Sequence, residues 1–383
     1  MSGRGEDRGR AAAVDGLRAV AALSVLGYHA WLYTRDHVSA GVRGSLGDEL
    51  AHELRLGLVL FFVLSGYLLY GPWVRAVLER ATAPRTAAYL VRRAARIVPA
   101  YYAAVIGSIV LLWGLDATPG VRLPQADDLW LFALFGQNFS VQTLLSLNAP
   151  LWTLAVEWSF YLALPVLGWL ALQLRGASRE TQAIVPTLFL VAGVAWNWSI
   201  AGEEIPPTLT KVLPAMAPYF AVGMLAALLG HGRALGRRAG WALLVAGIAL
   251  VGADAWWAAL AAREGSHDLT LHVLRDLVGA CGFGAILLSV TLAPAPRVLG
   301  SRPLAAVGVW SYGVYLWHVP LLLWLRGNDL LPGSGPLAFL VVLPLSLAVA
   351  AASWRLLERP AQAWARRATQ RRRSSTVRVM ATR

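Results

Sequence analysis

The chain has 383 residues, of which 57% are hydrophobic and only 14% are charged, and this composition excludes an ordinary soluble domain. The net charge of +13 invites a nucleic-acid partner, but 33 of the 34 basic residues are arginine and they cluster in alternate loops. That distribution is typical of a membrane-orientation signal, so we expect no nucleic-acid partner. The single cysteine, Cys281, excludes an intrachain disulfide and offers no cysteine cage for a metal.

Ten apolar stretches are long enough to cross a bilayer as helices. They are residues 14–33, 55–74, 97–115, 150–172, 184–201, 212–230, 241–260, 271–293, 304–325 and 336–357. We predict an all-α, polytopic helical bundle, with a cytoplasmic N-terminal segment at 1–13, a membrane domain at 14–360 and a basic, disordered cytoplasmic tail at 361–383. Cytoplasmic termini place 26 of the 34 basic residues on that side of the cell membrane, as the positive-inside rule requires. The tail is expected to contact membrane lipids with anionic headgroups.

One further apolar stretch, residues 129–147, contains Gly136, Gln137, Asn138 and Gln142. Counting it as an eleventh span would invert every later loop against the arginine bias, so we predict a re-entrant or interfacial segment. Non-helical backbone at membrane depth is tolerated only where protein covers it or where it lines a cavity. We therefore expect Gln137 and Asn138 to line a cavity and to bind substrate.

The first span carries an arginine near its start and a histidine near its end, Arg18 and His29. Eleven helical steps advance about 16 Å and end about 20° past three full turns, so the two side chains share one face at different depths. An ionisable side chain at membrane depth costs about 2.5–3.5 kcal/mol and normally faces protein or a wet cavity. The pair suits a reaction that draws on two aqueous compartments. In the alternative interpretation, Arg18 is a cytoplasmic anchor and His29 is a neutral histidine bonded to a neighbouring helix.

The motifs around these residues carry a family resemblance. The sequence DGLRA at 15–19, followed by apolar residues and His29, resembles the opening motif of the acyltransferase-3 family of integral-membrane O-acyltransferases. The second span contains FFVLSGYLL, residues 61–69, which is similar to another motif of that family. Its Ser65 and Gly66 are small enough to let a helix or an acyl chain approach closely.

Arg93 and Arg96 are three residues apart just before the third span, so they share one helix face while Arg92 points elsewhere. From the spacing alone, this pair is also typical of a positive-inside anchor. The family pattern of two arginines followed by Ile-x-Pro-x-Tyr is matched by Ile97, Pro99 and Tyr101. The resemblance implies that the pair binds the phosphates of coenzyme A through guanidinium forks, and that Arg18 stabilises the thioester oxyanion or binds the cofactor.

Glu157 lies inside a predicted span, in a setting similar to a family motif in which the following acidic residue of relatives is Trp158 here. A buried carboxylate must be neutral, paired or hydrogen-bonded, so Glu157 either orients His29 or pairs with an arginine. The late motif SYGVYLWHVP places Tyr312 and His318 in the ninth span. The resemblance implies that both contribute to a substrate cavity, although a histidine packed against Trp317 and Pro320 needs no catalytic role.

The motifs jointly imply an O-acyltransferase that uses acyl-CoA as donor and a hydroxyl-bearing acceptor. The implied acceptor is a sugar of an envelope polysaccharide, a glycolipid or a glycosylated natural product such as a macrolide. His29 would act as general base, with an acyl-histidine intermediate as the variant, while Arg18 and Glu157 complete the catalytic set. No histidine or carboxylate cluster has tight metal-ligand spacing, so we expect no metal. A polytopic transporter or lipid flippase would also explain polar residues inside a bundle.

Overall fold

A computed structural model of the chain describes residues 2–35, 45–201, 206–263 and 269–381. Within these ranges the chain forms helices joined by turns, with no β-strand. In chain order the helices are α1 (Ser2–Tyr33), α2 (Leu46–Glu53), α3 (Gly57–Leu78), α4 (Thr86–Leu112), α5 (Leu129–Ala133), α6 (Leu151–Gln173), α7 (Arg179–Gln182), α8 (Ile184–Ser199), α9 (Pro207–Thr210), α10 (Leu213–Gly230), α11 (Arg237–Arg263), α12 (Leu269–Leu292), α13 (Arg302–Gly327), α14 (Gly335–Ser353) and α15 (Arg359–Ala381).

Each of the ten predicted spans overlaps one of these helices, and the predicted all-α bundle is confirmed. Among the described residues, eight helical stretches are long and apolar enough to cross a membrane: Gly9–Tyr33, Leu46–Leu78, Thr86–Leu112, Leu151–Gln173, Pro207–Gly230, Arg237–Leu260, Arg302–Gly327 and Gly335–Gln370. Of the other two predicted spans, α8 has only 16 residues, whereas α12 has 24. A 16-residue helix rises about 24 Å, less than the roughly 30 Å of a bilayer's hydrocarbon core, and a 24-residue helix rises about 36 Å.

Helices α3 and α10 pack backbone to backbone at two glycines. A Cβ atom on Gly66 would meet the carbonyl oxygen of Phe220, and one on Gly223 would meet the carbonyl oxygen of Val63. Small residues let helices approach this closely inside membranes. The close approach of a helix expected at Gly66 is therefore confirmed.

Helix α1 packs along α13 through a similar contact. A Cβ atom on Gly308 would meet the carbonyl oxygen of Asp15, and further along both helices the side chain of His29 meets that of His318. The later residue of α1 contacts the later residue of α13, so the two helices are parallel. This packing brings together two histidines that are far apart in the sequence.

Residues 129–147 do not form a continuous helix. After α5 the chain makes a 3₁₀ turn at Gln137–Phe139 and then continues as turns. Two tyrosines of α4, Tyr101 and Tyr102, donate hydrogen bonds to carbonyl oxygens of α5 at 2.8 and 2.6 Å. Protein donors thus satisfy part of the broken backbone, as is required of a membrane-embedded segment that does not span as a helix.

The last helix extends into residues 361–383, the segment that the sequence predicts to be a basic tail. Helix α14 continues through a π-helical turn, Trp354–Glu358, into α15. Pro360 has no N–H to donate to the preceding turn, and such an interruption is commonly accommodated by a widened turn. Alanine, arginine and glutamine all favour helix. The disorder and the cytoplasmic location expected of residues 361–383 stay predictions.

Candidate active site

Two cavities lie inside the bundle, and we name them after the residues that mark them. The arginine cavity has a volume of about 340 Å³ and is lined by Arg18, Arg93 and Arg96. The histidine cavity has a volume of about 500 Å³ and is lined by His29. Both volumes are in the range of small-molecule sites. The two cavities are neighbours, because three residues line both of them: Leu58, Phe62 and Tyr315.

Arginine side chains from two helices line the arginine cavity. Arg18 extends from α1 and lies 3.6 Å from Asp15, whereas Arg93 and Arg96 extend from one face of α4. In the described part of the chain, neither Arg93 nor Arg96 has a carboxylate within 4.0 Å. The buried Nε of Arg93 has no hydrogen-bond partner there. Guanidinium groups in such a position are suited to binding an anion.

Aromatic rings hold one of these arginines in place. The guanidinium of Arg93 lies 5.9 Å from the ring centre of Tyr89 and 6.0 Å from that of Tyr161, which is cation–π distance. Arg92, the preceding residue, is turned away, and its Nη1 donates to Thr369 Oγ1 at 3.4 Å. The prediction that Arg92 points elsewhere is confirmed.

Glu157 of α6 lines the same cavity. Its Oε1 accepts hydrogen bonds from Ser65 Oγ at 3.0 Å and from the hydroxyl of Tyr161 at 2.7 Å. Among the described residues no hydrogen bond joins Glu157 to His29, and no arginine lies within 4.0 Å of it. Neither partner that the sequence offered for Glu157 is the one found. Hydroxyl donors satisfy the carboxylate instead, which lowers the cost of burying it.

Two histidines meet beside the histidine cavity. The Nε2 atom of His318 lies 3.0 Å from Nδ1 of His29. Each Nδ1 also lies near a carbonyl oxygen of its own helix, at 2.9 Å from Val25 for His29 and at 3.0 Å from Val314 for His318. A carbonyl oxygen only accepts, so we assign the proton of each neutral ring to Nδ1. The single N–H of His29 is then shared between two acceptors, the carbonyl oxygen of Val25 and Nε2 of His318.

This tautomer leaves Nε2 of His29 with its lone pair, in a residue that lines the histidine cavity. A neutral imidazole with an available nitrogen is suited to general-base chemistry. His318 is buried, with 1% of its surface exposed, and it lines neither cavity. The contacts therefore favour an orienting role for His318 over the substrate contact that the sequence suggested, because its polar atoms are occupied by Val314 and His29.

Two of the amides in segment 129–147, those of Gln137 and Asn138, bind backbone carbonyl oxygens and line neither cavity. Gln137 Nε2 donates to the carbonyl oxygen of Leu151 at 2.9 Å. Asn138 Nδ2 donates to the carbonyl oxygens of Trp152 at 2.8 Å and Lys211 at 2.6 Å. These hydrogen bonds give both amides a structural role, as is usual for buried amide donors, and the substrate contact expected of Gln137 and Asn138 stays a prediction.

Three further polar side chains line the cavities. Tyr312 lines the arginine cavity and donates to the carbonyl oxygen of Ile97 at 2.9 Å, so its substrate contact stays a prediction. Arg55 and Asp276 line the histidine cavity and are joined by two hydrogen bonds of 2.8 Å. This ion pair was not predicted from the sequence. The pattern that indicates it is an arginine in one apolar stretch and an aspartate in another. Within the described ranges, no three His, Cys, Asp or Glu side chains come together to hold a metal ion.

Comparison with known proteins places this geometry in a family. A family model described as an acyltransferase domain matches residues 11–355. The chain belongs to the acyltransferase-3 family. The match contains His29, His318 and the five arginines that line the two cavities, so both cavities lie within the matched domain.

Several relatives of this acyltransferase-3 chain are known by name. It is 26% identical over 370 residues to nodulation protein 10 of Rhizobium leguminosarum bv. viciae, covering 91% of this chain and 92% of that protein. It is 24% identical over 332 residues to the peptidoglycan O-acetyltransferase OatA of Listeria monocytogenes, covering 81% and 49%. It is 23% identical over 364 residues to the O-acetyltransferase OatA of Staphylococcus aureus, covering 91% and 56%. The chain thus spans about half the length of these two O-acetyltransferases. No solved structure matches it.

Proposed function

We propose that this acyltransferase moves an acyl group from acyl-CoA, bound in the arginine cavity, to a hydroxyl of a sugar-bearing acceptor in the histidine cavity. The observation that carries the proposal is the pairing of His29 with His318, which leaves Nε2 of His29 available beside a cavity. A buried and oriented imidazole in a cavity favours proton transfer over simple helix packing.

The donor assignment rests on charge. Coenzyme A carries phosphate groups, and the arginine cavity offers Arg18, Arg93 and Arg96 against the single carboxylate of Glu157. Guanidinium forks bind phosphate oxygens through paired hydrogen bonds. Arg18 lies about 16 Å along α1 from His29, so we assign it to the phosphates and not to the oxyanion that forms near the base. The thioester end then extends toward the wall that the two cavities share.

The chemical step belongs to His29. Its Nε2 takes the proton of the acceptor hydroxyl while the hydroxyl oxygen bonds to the acyl carbon. The carbon–sulfur bond breaks with its electron pair on sulfur, and the imidazolium returns the proton to that sulfur. His318 accepts the hydrogen bond of Nδ1–H throughout, which fixes the ring and stabilises its charged form.

The acceptor class rests on the relatives. Two of them are named O-acetyltransferases, and one is named for peptidoglycan. We therefore place a sugar hydroxyl of an envelope polysaccharide or glycolipid first, and a glycosylated natural product such as a macrolide second. An acetyl group is the proposed cargo on the same grounds.

In this proposal both termini and the arginine cavity face the cytoplasm, which supplies acyl-CoA, and the histidine cavity lies nearer the outer side of the cell membrane. The 26 of 34 basic residues on the cytoplasmic side support it, because cytoplasmic loops are rich in arginine and lysine. Reporter fusions after Arg85, Arg238 and Arg367 should report the cytoplasm, and fusions near Arg43 and Arg263 the outside. An outside signal at Arg238 would break this orientation.

Thioester consumption tests the activity itself. Purified protein in detergent should release coenzyme A from acetyl-CoA, slowly alone and faster when an envelope glycolipid extract is added. A transporter or lipid flippase would leave the thioester intact. Release no faster than in a protein-free sample would overturn the proposal.

A further inference from the structure

The histidine cavity contains cations that the proposed reaction does not use. Arg55 is neutralised by Asp276 through two hydrogen bonds of 2.8 Å. Lys211 and Arg122 line the same cavity, and in the part of the chain that the structure describes neither has a carboxylate within 4.0 Å. Two positive charges thus border the cavity without a described counter-charge.

Lys211 is fixed in position at its backbone. Asn138 Nδ2 binds the carbonyl oxygens of both Lys211 and Trp152, at 2.6 and 2.8 Å. The ammonium of Lys211 lies 5.3 Å from the ring centre of Trp152, within cation–π distance. Lys211 is also the only lysine among the 34 basic residues of the chain. A group that is ordered in advance loses little conformational freedom when it binds a ligand.

Aromatic side chains form much of the surrounding wall. Trp152, Tyr28, Tyr33 and Tyr219 all line the histidine cavity. Aromatic rings present an apolar face with a polar tip, which suits the apolar face and the hydroxyl rim of a sugar ring. An ammonium beside such a platform adds recognition of a negative group carried by that sugar.

We propose that the histidine cavity selects an acceptor with an anionic group, a carboxylate or a phosphate, next to the hydroxyl that is acylated. Arg122 supplies a fork and Lys211 a point charge for that group. The inference rests on the proposed function and adds to it the charge of the acceptor.

Ligand-observed NMR on the purified protein, without donor, compares three sugars: methyl glucoside, methyl glucuronide and glucose 1-phosphate. Both anionic sugars should bind at least about tenfold more tightly than the neutral glucoside, because each gains a charge-assisted hydrogen bond. Tighter binding of the 1-phosphate assigns the anion to a phosphate link, and tighter binding of the glucuronide assigns it to a sugar acid. Equal affinity for the neutral and the anionic sugars, or binding of none of them, overturns the inference.

Variants then assign the anion to its partners. Lys211→Gln combined with Arg122→Gln should reduce the affinity for both anionic sugars to that for the glucoside, whereas Lys211→Arg keeps the charge and should keep the preference. A preference that survives the double glutamine variant overturns the role of these two residues. Coenzyme A release from acetyl-CoA is measured on the same parent preparation. Absent release contradicts the proposed function, whereas normal release without an anion preference contradicts only the anionic acceptor.

Discussion

The arginine cavity and the histidine cavity lie side by side in one helix bundle, yet they hold their polar groups in opposite ways. Arg93 rests against two tyrosine rings at 5.9 and 6.0 Å, and Arg96 has no carboxylate within 4.0 Å among the described residues. His29, in contrast, is fixed through Nδ1 by Val25 and His318 at 2.9 and 3.0 Å. Arg93 and Arg96 thus lack a described ion-pair partner, whereas hydrogen bonds fix the orientation of His29.

This difference suits the arginine cavity to binding the donor and the histidine cavity to proton transfer. Coulomb attraction between a guanidinium and a phosphate falls slowly with distance. An arginine can therefore attract the donor over a range of positions while the donor enters and leaves. Proton transfer requires hydrogen-bond contact between the base and the proton it removes. We therefore expect substitutions in the arginine cavity to change donor affinity, and substitutions around His29 to change turnover.

The largest effect is expected for His29→Ala. General-base catalysis contributes about 10²–10⁴-fold, so coenzyme A release in the presence of acceptor should fall by that factor. Donor affinity should stay unchanged, because the phosphates are assigned to the arginine cavity. His231→Ala is the matched control, since His231 bonds Glu79 at 2.8 Å and lines neither cavity. If the folded His29→Ala protein releases coenzyme A near the parent rate, another residue must be the general base.

The next effect in size is expected for Arg93→Gln combined with Arg96→Gln. Each lost charge-assisted hydrogen bond weakens binding by about tenfold or more, so the Kd for coenzyme A should rise while turnover at saturating donor changes little. Lysine at both positions should restore only part of the affinity, because a point charge lacks the fork. Arg92→Gln is the control. Equal affinity of the double glutamine variant and the parent would remove these arginines from the donor site.

Hydropathy and residue spacing predicted the helices and the faces on which their side chains lie, because these features depend on neighbours in the sequence. Apolar runs predicted ten of the fifteen described helices, and the spacing of Arg93 and Arg96 predicted one helix face, because hydropathy and helical geometry act between near neighbours. The contact of His29 with His318 depends on how α1 packs against α13, across 289 residues, and no periodicity encodes it. The same holds for Asn138, whose composition suggested a cavity wall and whose donors bind backbone.

The orienting role of His318 predicts a smaller loss than that of the base. His318→Ala should lower turnover by about tenfold, the lower range for a residue that orients a reactive group through its ring, and leave donor affinity unchanged. His318→Gln should recover part of the rate, because an amide oxygen accepts the N–H of His29 as His318 Nε2 does. Equal losses in both variants would indicate packing in place of orientation, and loss of donor affinity would contradict the separation of the two cavities.

The smallest effect is expected in the arginine cavity, at the hydroxyl that holds its carboxylate. Tyr161→Phe removes the 2.7 Å hydrogen bond to Glu157 and keeps that from Ser65 at 3.0 Å, so the carboxylate competes more strongly with donor phosphates for the arginines. The loss of one such bond corresponds to roughly 1 kcal/mol, or about fivefold weaker donor binding, at unchanged turnover. Tyr102→Phe removes a hydroxyl that bonds Ala133 at 2.6 Å and should not change donor affinity. If both phenylalanine variants weaken coenzyme A binding equally, the effect is general to the bundle, and Glu157 has no special part in the donor site.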